Sequence, residues 1–132
     1  MYIEWTQELS VNNSPIDAEH QKWISILNNF YVGLQDGQPK ERLKILITEM
    51  IDYTRFHFAN EEKYMESINY PHLEEHKVLH KQYVNQIITF WEKIENNKLI
   101  LSLEVTNFLK NWLIAHIKGE DQKYSRFAET LK

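Results

Sequence analysis

The stretch His57-Phe58-Ala59-Asn60-Glu61 sets an imidazole and a carboxylate four residues apart, and His76-Lys77-Val78-Leu79-His80 repeats that interval with two imidazoles. On an α-helix, residues i and i+4 project from one face. Apolar residues keep the same phase around both pairs. Leu43, Ile47, Met50 and Tyr53 lead into His57 and Glu61, and Tyr83, Ile87, Phe90 and Ile94 follow His76 and His80. These polar groups therefore occupy the stripe that should face a core.

Working outward, two further segments show the same pattern. One runs over 17–36, with His20, Ile24, Leu27, Tyr31 and Leu34 on its stripe; the other runs over 99–118, with Leu101, Val105, Leu109, Trp112 and His116. The two already introduced span 40–67 and 72–95. Breaks separate them at Asp36-Gly37-Gln38-Pro39, at Tyr70-Pro71 and at Glu95-Asn96-Asn97-Lys98. Four amphipathic helices with short connections predict an all-α, up-down-up-down antiparallel bundle. Ile3, Trp5 and Leu9 predict an N-terminal arm packed on it, and Ser125 to Leu131 a short terminal turn of helix.

The bulk composition narrows the chemistry. A chain of 132 residues, 42% of them hydrophobic, fits one domain over 1–132. A net charge of -4 without a basic block argues against nucleic-acid binding. No apolar run reaches about 18 residues, which argues against membrane insertion. The first residues have no basic or apolar leader character, so a cytoplasmic location is the expectation. Cysteine is absent, which removes thiolate metal sites and disulfides. Any metal must be held by nitrogen and oxygen.

Five of the six histidines lie on core stripes, in four different segments. One core histidine is unremarkable, but several on facing helices can converge on one point. Glu61 shares the stripe, and a buried carboxylate costs several kcal/mol unless paired or metal-bound. Asp121 follows His116 by five residues, about 140° round an ideal helix. It joins the set only if the helix loosens near Gly119 or ends in a wider turn. Asp17 is expected to cap the first helix or to orient a ligand, and Glu62 and Glu120 to face water. His72 follows Pro71 and should face solvent or cap a helix. Seven nitrogen and oxygen donors suit two ions better than one, and imidazole-rich sets favour iron, copper, nickel or zinc.

The motifs Ile16-Asp17-Ala18-Glu19-His20, His57-Phe58-x-x-Glu61-Glu62-x-x-Met65, Tyr70-Pro71 with His76-x-x-x-His80, and Trp112-Leu113-x-x-His116-Ile117-x-x-x-Asp121-x-x-Tyr124 occur in that order. Together they resemble the hemerythrin family, whose myohemerythrins share the up-down bundle. The resemblance covers nearly the whole chain. It implies two iron ions (Fe2+/Fe3+) joined by an oxo or hydroxo bridge. His76, His80 and His116 would hold one iron, His20 and His57 the other, and Glu61 and Asp121 would bridge them. The second iron would keep an open position for dioxygen. Ile24, Phe58, Trp112, Leu113 and Ile117 would keep that position dry, with Leu113 controlling access. Tyr70 and Tyr124 would support the site or simply pack. The expected role is reversible dioxygen carriage by a monomer rather than enzymatic turnover. A di-iron enzyme or sensor handling peroxide or nitric oxide would use the same ligands.

Overall fold

The computed structural model describes residues 2–96 and 103–132. Helix α1 spans Ser14–Gln35, α2 Lys40–Ser67, α3 Leu73–Glu95 and α4 Leu103–Ala115. A six-residue π-helical turn, His116–Asp121, joins α4 directly to α5, Gln122–Thr130. No strand occurs among the described residues, and the architecture is the expected four-helix bundle. The expected terminal turn of helix is present as α5, which continues the fourth helix through the π turn. Asn97, Lys98, Leu99 and Leu101 lie outside the described residues.

The two breaks within the described residues, at 36–39 and at Tyr70-Pro71, separate helices as read. Asn13 caps α1 by accepting from the Ile16 N–H, and Pro15 sits in the first turn, where a missing N–H costs nothing. Gly37 takes a φ of 65° after α1, a conformation that favours glycine. Helix α2 packs against both α1 and α3. Helix α4 packs against α1 and, across the bundle's remaining side, meets α3 through Tyr83, whose ring stacks on Trp112 at 3.9 Å and whose hydroxyl donates to the Leu109 carbonyl.

Two apolar clusters form the interior. The larger contains Trp23, Leu27, Phe30, Ile47, Met50, Ile87 and Leu109. The smaller contains Val11, Ile16, Met65, Tyr70 and Tyr124. In sequence the stripe histidines and acids fall between them: His20 between Ile16 and Ile24, Glu61 between Phe58 and Met65. A polar layer is thus sandwiched between two apolar ones.

The arm is ordered and pinned at several points. Ile3 and Leu9 are buried in the larger cluster, and Tyr2 donates to Asn107. Asn28 accepts from the Ile3 N–H and donates to its carbonyl. Asp17 neither caps α1 nor touches a site histidine. Its carboxylate accepts from the Val11 N–H at 2.8 Å and the Ser10 hydroxyl at 2.6 Å, so it ties the arm down. No described helix is long and apolar enough to cross a membrane.

Candidate metal centre

Helices α1, α2 and α3 and the π turn deliver His20, His57, Glu61, His76, His80, His116 and Asp121 to the polar layer. All seven are buried. The π turn explains Asp121. A turn closed by i→i+5 hydrogen bonds brings residue i+5 back over residue i. His116 Nε2 therefore lies 3.1 Å from Asp121 Oδ1 despite the five-residue spacing. Gly119 is not what permits this, since its φ is not positive and a Cβ there would meet nothing within 4 Å. Gly119→Ala should therefore raise the unfolding free energy by about 0.5–1 kcal/mol and leave metal content unchanged. Denaturant melts with metal analysis check this, and lost metal would mean that the turn needs glycine.

The donors fall into two groups. Glu61, His76, His80, His116 and Asp121 form one; His20, His57 and Glu61 form the other. Each carboxylate splits its oxygens between them. Glu61 Oε1 lies 2.9 Å from His80 Nε2, while Oε2 lies 3.3 Å from His20 Nε2. Asp121 Oδ1 lies 3.0 Å from His76 Nε2, while Oδ2 lies 3.3 Å from His20 Nε2. Both carboxylates therefore lie between two sets of imidazoles, one of three and one of two.

Their geometry suits metal ions better than hydrogen bonds. His116 Nε2 lies 3.0 Å from His76 Nε2 and 3.1 Å from His80 Nε2, with donor atoms converging rather than pairing. Although ion-pair distances surround them, His57 Nε2, Glu61 Oε1 and both Asp121 oxygens make no hydrogen bond of acceptable angle. Adjacent donors about 2.1 Å from an octahedral ion stand about 3.0 Å apart, against about 3.4 Å round a tetrahedral ion. The three-imidazole group matches the octahedral spacing. Soft thiolate donors are absent, so the set fits a six-coordinate first-row ion such as iron.

Without metal, electrostatics bind the layer together. Burial lowers His20, but the Asp121 and Glu61 carboxylates, each 3.3 Å away, outweigh it and raise the imidazole to about 10. The same balance raises His76 to about 9. Burial raises Glu61, yet His57, His20 and His76 hold it well below the usual carboxylate range.

The far side of the ring nitrogens holds residues the sequence reading missed. His57 Nδ1 meets Glu19 Oε1 at 2.7 Å, and Asn60 Nδ2 donates to Glu19 Oε2 at 3.0 Å. His80 Nδ1 meets Glu62 Oε2 at 2.8 Å, so Glu62, though partly exposed, turns toward the site. Glu120, by contrast, pairs with Lys123 at the surface. The available signal was adjacency: Glu19 precedes His20 and Glu62 follows Glu61, on helix shoulders that face the next helix. Tyr124 donates to Glu61 Oε2 at 2.8 Å, whereas Tyr70 packs edge-on against Phe127 and Tyr124. His72 is exposed, near Glu75.

Of the residues expected to keep the site dry, Ile24, Phe58, Leu113 and Ile117 are buried in the larger cluster and Trp112 packs against it. Phe58 stacks on His80 at 3.7 Å, and Trp112 on His116 at 4.4 Å.

An antiparallel bundle with a buried histidine–carboxylate layer defines a metal-binding four-helix protein. Residues 13–128 match the model of the hemerythrin HHE cation-binding domain, and the chain belongs to the hemerythrin family. It is 32% identical to a bacteriohemerythrin of Stenotrophomonas maltophilia over 93% of this chain and 79% of that one. It is 29% identical to a bacteriohemerythrin of Clostridium acetobutylicum over 91% and 96% of the two chains. Myohemerythrin of Theromyzon tessulatum is 27% identical over 92% and 89%. In fold, a crystal structure of wild-type hemerythrin superposes with a TM-score of 0.89 at 24% identity, covering 96% of this chain and 97% of that one.

Proposed function

We propose that this chain binds dioxygen reversibly at a non-haem di-iron centre, as a carrier, store or delivery protein. His76, His80 and His116 would hold one iron, His20 and His57 the other, and Glu61 and Asp121 would bridge them. The observation that carries the reading is the unequal donor count on two shared carboxylates. Five protein donors serve one side. The other side has two imidazoles and two carboxylate oxygens, one donor fewer, so it is the side that would admit an exogenous ligand. Bound iron, joined by an oxo or hydroxo bridge, would supply reversible electron donation to dioxygen.

The chain's own part is to hold, shield and orient. Family membership supports iron over other six-coordinate ions. Tyr124 keeps one Glu61 oxygen in place through its hydroxyl. Ile24, Phe58, Trp112, Leu113 and Ile117 would exclude water, which otherwise promotes irreversible oxidation. All seven donors come from one chain, so a monomer can build the whole site.

The test is an anaerobic iron-loaded sample cycled between dioxygen and argon, with visible absorption and iron content recorded. Two irons per chain and a fully reversible spectrum are expected. One-way oxidation, or steady consumption of a reductant, would favour a di-iron enzyme instead. Leu113 is fully buried, and Leu113→Ala should cost about 2–5 kcal/mol of stability. It should also hasten autoxidation, followed as the decay of the oxygenated spectrum. An unchanged decay rate would remove Leu113 from the water barrier.

A further inference from the structure

We propose that Glu19 and Glu62 are positioning residues that load the two halves of the centre separately, Glu19 the two-imidazole half and Glu62 the three-imidazole half. The inference rests on the di-iron reading and adds a division of labour to it.

Each half holds one imidazole with a carboxylate against its outer nitrogen: His57 with Glu19 at 2.7 Å, His80 with Glu62 at 2.8 Å. A carboxylate at Nδ1 keeps the proton there, leaves the Nε2 lone pair toward the centre and raises the donor strength of the ring. Glu19 is itself fixed, since Asn60 holds its second oxygen and the Tyr53 hydroxyl donates to its backbone carbonyl at 2.9 Å.

The halves do not depend equally on these supports. In the two-imidazole half the other ring is His20, whose Nδ1 is buried and makes no hydrogen bond. Without Glu19 that half would keep no imidazole with a carboxylate behind it. The three-imidazole half keeps His76 and His116 when Glu62 is lost. Glu19 should therefore have the larger effect.

The experiment titrates metal-free protein with cobalt(II), reading both binding constants by absorption and calorimetry, with thermal melts as the folding control. Wild type should take two ions per chain. Glu19→Ala should weaken one ion by about 10–100-fold and leave the other unchanged. Glu62→Ala should weaken the opposite ion by less. Glu19→Gln keeps an acceptor for the His57 Nδ1–H and should recover most of the loss. Identity of the half comes from double variants. Glu19→Ala should add nothing on a His57→Ala background and its full effect on a His80→Ala background. If Glu19→Ala does not fold, Asn60→Ala, which frees the far oxygen of Glu19, should give a smaller loss confined to the same half. Two ions with unchanged affinities in these variants, or equal weakening of both ions, would overturn the proposal alone. A wild-type chain that takes no cobalt would overturn the di-iron reading and this inference with it.

Discussion

Glu61→Ala should abolish tight loading of both metals, with the larger part of the loss shared by the two halves. Glu61 is fully buried, and its two oxygens approach His20, His57, His76 and His80 at distances from 2.9 to 3.5 Å. Among the described donors, Asp121 is the other one that approaches histidines of both groups. Removal also leaves the Tyr124 hydroxyl without its partner and strips away a negative charge that helps hold His20, His57 and His76 protonated when metal is absent. Breaking a buried ion pair on one side costs about 3–5 kcal/mol. The metal-free variant should therefore unfold earlier in urea, and a cobalt(II) titration should lose both tight phases. Retention of one tight phase would show that Glu61 serves only one half. Glu61→Gln separates the effects, since it keeps the shape and removes the charge.

The second large effect is a loss of pH dependence on metal loading. In the metal-free protein His20 is raised to about 10 and His76 to about 9, against an ordinary 6.5. A group with a raised folded-state value stabilises fully below its unfolded value and loses that contribution as pH climbs through the folded one. Stability should therefore fall between pH 6.5 and about 10. Glu61 and Asp121 are depressed, so their contribution is present above about pH 4 and is lost in acid. The metal-free optimum lies between these limits, on the acid side of neutrality. The alkaline loss is on the order of a few kcal/mol, counting each imidazole–carboxylate pair once. Metal-loaded protein holds neutral imidazoles and should stay flat over that window. Loading at pH 7 should release protons from His20 and His76, so apparent affinity should rise with pH. Urea midpoints at several pH values, with and without metal, decide it. Metal-free stability that climbs from pH 6 to 9 would contradict the pairing.

Much of this was legible in the amino-acid pattern because its signals are periodic. His57 with Glu61 and His76 with His80 share helix phase with the core residues around them, and those phases set both the bundle and six of the seven donors. What escaped notice was not periodic. Asp17 stands three residues before a histidine, as a capping or orienting acid would, yet it serves a contact with Ser10 and Val11 that only the folded arm creates. Glu62 lies one residue beyond the stripe, where an acid usually meets water. It turns inward because α3 sets His80 Nδ1 against that shoulder. Glu19 was hidden in the same way. Asp121 was flagged by its spacing, since regular helix geometry sends it away from His116. The π turn resolves that mismatch.

That turn has a reach beyond Asp121. It inserts a phase shift into an otherwise continuous rod, so every residue after it points about one helical position, roughly 100°, from where an uninterrupted helix would aim it. Tyr124 meets Glu61, and the Ser125 hydroxyl meets the Val11 carbonyl at 2.8 Å, only in the shifted phase. Gln122 reaches the Ser10 carbonyl on the same terms. One surplus residue thus indexes the C-terminal helix to both the metal layer and the N-terminal arm, and the two chain ends are latched over the centre by the device that completes it.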